Sequence, residues 1–220
     1  MELTAEATPF NEANGEEAAL AAGTQLARRG MLIFLISEAM LFAGLISGYI
    51  VLRAGVPAWP PAGAPPIHIH LPPVAFMQWL MLINTALLIS SSWTYHQAEK
   101  RIEKGRTGMG WFALTTLLGS VFLSIQAYEW LHLKHEGMWF NTHGVYGSSF
   151  FALTGFHGLH VFVGVILILV ATIRSVLFYV KKNVLGSRAP VSHSYEVCAG
   201  LYWHFVDAVW ILLFTLLYFI

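Results

Sequence analysis

The chain has one cysteine, Cys198, in 220 residues, which excludes an internal disulfide and a thiolate cluster. Its expected role is that of a small apolar residue packed in a helix. Charge is equally scarce: 11% of residues are charged, against about 25% in ordinary soluble domains, while 56% are hydrophobic. Net charge is zero, and no basic run points to nucleic acid. There is no GxSxG elbow, Gly-rich phosphate loop, HExxH or CxxC, so the common signatures of soluble enzymes are missing. No internal repeat is visible. A soluble core of this size could not hide so much apolar surface, and the composition reads as that of a membrane protein.

Five apolar stretches are long enough to cross a ~30 Å hydrocarbon layer at about 1.5 Å per residue. They cover residues 30–52, 74–95, 109–131, 146–173 and 197–220, and imply an all-α domain over residues 30–220. Residues 1–29 carry Glu2, Glu6, Glu12, Glu16 and Glu17, lack an apolar core, and place Arg28-Arg29 against the first span. That pattern is not a signal peptide; it reads as an acidic tail, flexible or weakly helical, on the side of synthesis. Between the first two spans lie Pro57, Pro60, Pro61, Pro65, Pro66, Pro72 and Pro73, whose fixed φ angles and missing N–H donors imply a stiff irregular loop. The short charged segment from His96 to Thr107 implies an antiparallel hairpin.

Ten of the twelve Lys and Arg residues fall on the N-terminal side of this pattern, leaving Arg53 and Lys134 on the other. Basic residues concentrate in cytoplasmic loops, so the N-terminus is expected inside and the C-terminus outside. Small residues at Gly44 and Gly48, and at Gly155, Gly158 and Gly164, mark the first and fourth spans as places where helices could approach closely.

The acids and histidines inside the spans are the informative residues, because a charge at the centre of a membrane helix costs roughly 2.5–3.5 kcal/mol. Glu38 lies about 12 Å from the inner end of its span. It could act as a proton carrier, partner a buried base, or serve as a protonated structural glutamate at a helix interface. His157 and His160 are i,i+3 neighbours, and His204 and Asp207 repeat that spacing in the last span. Two His-bearing helices suggest a metal or bis-histidine haem. Against that, each histidine has a polar neighbour one turn away and the segments are crowded with Phe156, Phe162, Trp203 and Phe205, so no metal is expected. Helix directions would bring Glu38, His160, His204 and Asp207 into one polar layer of the inner leaflet. Glu129, with Gln126 before it, belongs near the outer end of the third span, where Tyr128 and Trp130 suggest an aromatic belt and an inexpensive interfacial acid. His68, His70, His132 and His135 lie in external segments, where such spacings usually bind nothing.

Three strings carry a family resemblance: Ser37-Glu38-Ala39-Met40-Leu41-Phe42-Ala43-Gly44; Val145-Tyr146-Gly147-Ser148-Ser149-Phe150-Phe151 with Thr154-Gly155-Phe156-His157-Gly158-Leu159-His160; and Tyr202-Trp203-His204-Phe205-Val206-Asp207-Ala208-Val209-Trp210. In this order they resemble subunit III of the haem–copper cytochrome c oxidases, in the five-span bacterial form that lacks the first two of seven helices. The resemblance implies a chain with no haem or copper of its own, those cofactors residing in partner subunits. It implies packing against subunit I, with subunit II and small subunits as further partners, and a bound phospholipid. It also implies a role in durability during turnover and in proton uptake from the inner side of a bacterial plasma membrane, or less directly of a mitochondrial inner membrane. Glu38 matches the family's carbodiimide-reactive glutamate, which implies a protonated carboxyl in an apolar setting. With two helices missing, this chain cannot supply both walls of the family's lipid cleft, so lipid contacts carry over to His204 and its surroundings at most.

Subunit III of a ubiquinol oxidase, or an accessory subunit of a nitric oxide reductase, is the related alternative; Ser37-Glu38 and Phe156-His157 lean towards the cytochrome c branch. A stand-alone proton or ion carrier using Glu38 and Asp207 would be expected to show inverted repeats or broken helices. A b-type cytochrome would reveal itself in the visible spectrum of the isolated chain.

Overall fold

The computed structural model describes residues 9–65, 67, 76–183 and 193–219, and among them the only regular structure is helical. Helix α1 spans Pro9–Ala54, α2 Phe76–Glu103, α3 Met109–His135, α4 Val145–Asn183 and α5 Ser194–Phe214, the last continuing as a π-helical turn over Thr215–Phe219. Among the described residues four stretches are long and apolar enough to cross a membrane: Ala18–Ala54, Met109–His135, Val145–Lys181 and Ser194–Phe219.

The helices overrun the expected spans because nothing in the sequence stops them at the membrane surface. The tail expected over residues 1–29 is helical from Pro9 onward and runs without a break into the first span. Its alanine-rich stretch, from Ala18 to Ala22, favours helix and contains no breaker. At 46 residues, α1 is about 69 Å long by its rise per residue, twice the hydrocarbon thickness. The segment expected as a charged connection after Tyr95 is also helical as far as Glu103. It ends where Gly105 takes a positive φ of 65° and the N–H of Arg106 reaches back to the Arg101 carbonyl at 2.9 Å. That closure satisfies the terminal carbonyls without side chains. Gly137, at φ 87°, ends α3 in the same way, with Met138 N–H bonded to Leu133 O at 2.9 Å.

α2 falls short of the other helices in apolarity, and its faces explain why. Gln78, Asn84, Thr85, Ser91 and Thr94 point inward, whereas Trp79, Ile83, Ile89 and Trp93 are exposed. The inner face is satisfied by neighbouring helices. Trp210 Nε1 donates to Thr85 Oγ1 at 3.1 Å, Trp203 Nε1 to Ser91 Oγ at 3.0 Å, and the Tyr95 hydroxyl to the Glu196 carbonyl at 2.6 Å. Thr94 and Thr115 share a bond of 2.8 Å that ties α2 to α3.

α5 packs against α1, α2 and α4, and the buried Trp203 fixes its position. A Cβ on Gly119 of α3 or on Gly164 of α4 would come within 2.8 or 2.7 Å of the Trp203 ring, so the indole is clamped between two glycines. The fourth-span glycine thus marks a close approach. Gly44 and Gly48 do not, as open space surrounds both within this chain. α1 instead uses the heptad-spaced Leu35, Phe42 and Tyr49, the only residues it buries between Gly30 and Ala54. Between α1 and α2, Trp59 folds back edge-on to Tyr49 and Tyr146, at ring distances of 5.4 and 4.9 Å.

Two outcomes follow for stability in detergent. Gly164→Ala and Gly119→Ala should each lower it by about 1–3 kcal/mol through overpacking, with Gly44→Ala within about 0.5 kcal/mol of wild type; thermal unfolding ranks the three. Thr85→Val, which keeps the shape but strands the Trp210 N–H, should cost about 1–3 kcal/mol, whereas Ser90→Ala on the exposed face should cost far less.

Candidate functional site

The membrane-embedded acids and histidines form three separate groups. In the first, α1 and α4 meet through Glu38 Oε2 and His160 Nε2, 3.0 Å apart, with side chains 19% and 13% exposed. His160 Nδ1 lies 2.6 Å from the Phe156 carbonyl, which can only accept, so Nδ1 carries a hydrogen. The remaining bond then needs one proton between Glu38 and Nε2. A neutral acid donating to a neutral ring and a carboxylate facing an imidazolium both leave the pair neutral overall, which is the inexpensive arrangement in a low-dielectric setting. Phe42 covers the imidazole edge-on at 4.9 Å, and Tyr202 donates from α5 to the His160 carbonyl at 3.2 Å.

The second group joins α5 to α2. Ser92 Oγ donates to Asp207 Oδ2 and lies 3.0 Å from His204 Nδ1. A serine has one hydrogen to give, so with that hydrogen on Asp207 the imidazole Nδ1–H donates to Oγ. His204 and Asp207 thereby share a short chain through a residue that sequence reasoning did not single out. The signal was present: Ser90-Ser91-Ser92 is a polar run inside an otherwise apolar segment.

The four residues expected in one layer from helix directions form two bonded groups, one on each side of α5, and each has a polar neighbour. Tyr202 and His204 are two residues apart, about 200° around a helix of 3.6 residues per turn, so one points to α4 and the other to α2. His157 belongs to neither group. It is 1% exposed, stacks on Trp210 at 4.9 Å, and meets Phe122 edge-on at 6.1 Å. Among the described residues neither ring nitrogen has a hydrogen-bond partner. The two histidines spaced i,i+3 share the Phe42 ring, edge-on at 6.5 and 4.9 Å, but only His160 is hydrogen-bonded among the described residues.

Glu129, expected as an inexpensive acid beside an aromatic belt, is 4% exposed and turned inward, while Tyr128 beside it is 51% exposed. Gln126 Nε2 donates to it at 2.5 Å and the Tyr218 hydroxyl at 2.8 Å. A cleft of about 120 Å³ reaches this group past Gln78, His132 and Glu136. Tyr218 comes from the chain's last turn, so only the folded bundle brings it to α3. His132 pairs with Glu136 at 3.2 Å; His68 and His70 lie outside the described residues.

Two further features were not anticipated. Arg174 Nε donates to Glu196 Oε1 at 2.9 Å, with its guanidinium 5.1 Å from the Tyr195 ring, linking α4 to the start of α5. Beside His160, an apolar groove of about 340 Å³ opens between α1, α4 and α5, walled by Met31, Phe34, Leu159, Val163 and Tyr202. Among the described residues no three His, Cys, Asp or Glu side chains are grouped as metal ligands. Each embedded carboxyl has a partner on a neighbouring helix or turn: Glu38 on α4, Asp207 on α2, and Glu129 in the terminal turn. Chemically, the arrangement ties helices together and holds protons in short bonds.

The match to known proteins runs nearly the length of the chain. A family model described as cytochrome c oxidase subunit III matches residues 10–220. Cytochrome c oxidase subunit 3 of Synechocystis sp. is 40% identical over 86% of this chain and 73% of its own length. Its counterpart in Thermostichus vulcanus is 40% identical over 86% of this chain and 85% of its own. In the lancelet Branchiostoma lanceolatum the protein of that name is 34% identical over 87% and 68%. By the family match over residues 10–220 and the 40% identity to these relatives, the chain belongs to the cytochrome c oxidase subunit III family.

Proposed function

We propose that this chain is the non-redox accessory subunit of a respiratory terminal oxidase that passes electrons from cytochrome c to O2 and pumps protons. Within that complex it braces the haem- and copper-bearing subunit I, with subunit II and small subunits as further neighbours. The observation that carries the reading is the use made of the embedded acids. Glu38, Asp207 and Glu129 are each committed to bonds between helices or with the chain's last turn, which is the chemistry of a scaffold. The outer apolar surface supports an embedded assembly: Ile33, Met40 and Val51 of α1 are 71%, 72% and 70% exposed.

In this reading all five helices cross a bacterial plasma membrane. α2 does so with its polar face inward, and the ten-to-two distribution of basic residues supports an N-terminus inside and a C-terminus outside. The groove beside His160 holds a phospholipid acyl chain, its apolar wall replacing contact with bulk lipid. The neutral Glu38–His160 pair, partly open at its edge, supports proton uptake on the inner side.

Affinity purification of the tagged chain should bring down a haem–copper subunit I. Asp207→Ala, which removes the acceptor of Ser92, should cost the chain about 1–3 kcal/mol and shorten the lifetime of the complex. Turnover per intact complex should stay unchanged; a matching fall in turnover would refute the scaffold reading. A hydrophobic carbodiimide should label Glu38, as mapped by peptide mass spectrometry. Glu38→Gln should abolish that label while preserving assembly, since an amide can still bond His160.

A further inference from the structure

The α2–α3 turn carries Lys100, Arg101, Lys104 and Arg106, all exposed, within seven residues, against the single acid Glu103. The turn does not need these side chains for its own closure. Its last carbonyls are bonded by the Gly105 and Arg106 N–H groups, at 2.8 and 2.9 Å. Among the described residues no carboxylate lies within ion-pair distance of the four. Arg101 is held with its guanidinium 5.7 Å from the Trp111 ring, and Trp111 in turn stands edge-on to Trp93 at 5.5 Å.

That tryptophan pair joins the basic turn to an apolar wall. Trp93 is 58% exposed, and Ile89 and Leu114 continue the exposed surface away from the turn at 48% and 39%. Lys100 lies seven residues beyond Trp93, about 10 Å along the helix. Exposed tryptophans favour the membrane interface, so the basic side chains reach the level of the lipid phosphates. A ligand for this surface has its anionic and apolar parts joined. An acidic protein segment would use the charges and leave the wall bare, and a zwitterionic lipid would bring its ammonium to a basic turn.

We propose that the α2–α3 turn binds an anionic phospholipid, its phosphate held by Lys100, Arg101, Lys104 and Arg106 and its chains lying along Trp93 and Leu114. The site is distinct from the groove beside His160, and it requires only that α3 crosses a membrane. It therefore stands or falls separately from the oxidase reading.

The test uses the purified full chain, within its complex where one forms, in nanodiscs of phosphatidylglycerol or of phosphatidylcholine. Retained lipid is counted by native mass spectrometry after transfer to detergent. Wild type should keep phosphatidylglycerol in preference to phosphatidylcholine. The quadruple variant K100Q/R101Q/K104Q/R106Q should keep it at least about tenfold less well, given the attraction each basic residue near a membrane surface supplies. The variant K100R/R101K/K104R/R106K, which preserves the charge, should retain it. Raised salt should weaken retention in the wild type, because the charges are exposed. Equal retention of the two lipids by the wild type, or undiminished phosphatidylglycerol in the quadruple variant, would overturn the proposal. Loss of a protein partner from the quadruple variant with lipid unchanged would assign the turn to that partner instead.

Discussion

The bundle depends on burying the polar face of α2. A helix carrying Asn84, Thr85, Ser91, Ser92 and Thr94 cannot lie against hydrocarbon, where each unsatisfied group costs several kcal/mol. It must turn that face toward residues able to bond it, and α5 provides most of them. Trp210, Trp203, Asp207 and the Glu196 carbonyl meet Thr85, Ser91, Ser92 and Tyr95 respectively, with the end of α5 against the start of α2 and the start of α5 against its end. The tryptophans serve twice, with a large apolar ring for the core and one N–H for the bond. Once Trp203 is committed to Ser91, its ring has to fit between α3 and α4, and only glycine at 119 and 164 leaves room.

This arrangement decides where the acids and histidines act. With α2 on one side of α5, the other side is left for α1 and α4, and the polar residues of α5 divide accordingly. His204 and Asp207 face α2, while Tyr202 reaches the backbone of His160. Glu38 then has one basic partner, His160, and the pair can stay neutral while holding α1 to α4. α1 is otherwise attached along a single heptad seam, so most of its circumference remains open for lipid or for other subunits.

A scaffold built this way suits membership of a large membrane complex. Polar bonds between helices give the bundle a specific register where apolar packing against lipid would not, because lipid tails are as apolar as leucine. The outer surface stays apolar and available. Helices α1 and α4, with 46 and 39 residues, are both longer than the hydrocarbon layer requires, and α4's far end is tied to the start of α5 by Arg174 and Glu196.

Much of the architecture was legible in the chain itself. Apolar run lengths determined the all-helical class and the approximate place of each helix, since only helices satisfy their own backbone over some twenty apolar residues. The strings around Glu38, His157–His160 and His204–Asp207 carried the family, because they hold residues too costly to keep in a membrane without a use. Only the tertiary structure decided the pairings. Periodicity shows which residues share a face but not which helix that face meets. Ser92 as a bridge, the inward turn of Glu129 toward Tyr218, the stacking of His157 on Trp210 and the bonding of His160 to Glu38 all arise between residues 53 to 122 positions apart. The glycines show the same division. Gly44 and Gly48 had the spacing of a helix contact and meet nothing in this chain, whereas Gly119 had no pattern at all and lies against an indole. Close approach is a property of two surfaces, and a sequence displays only one of them at a time.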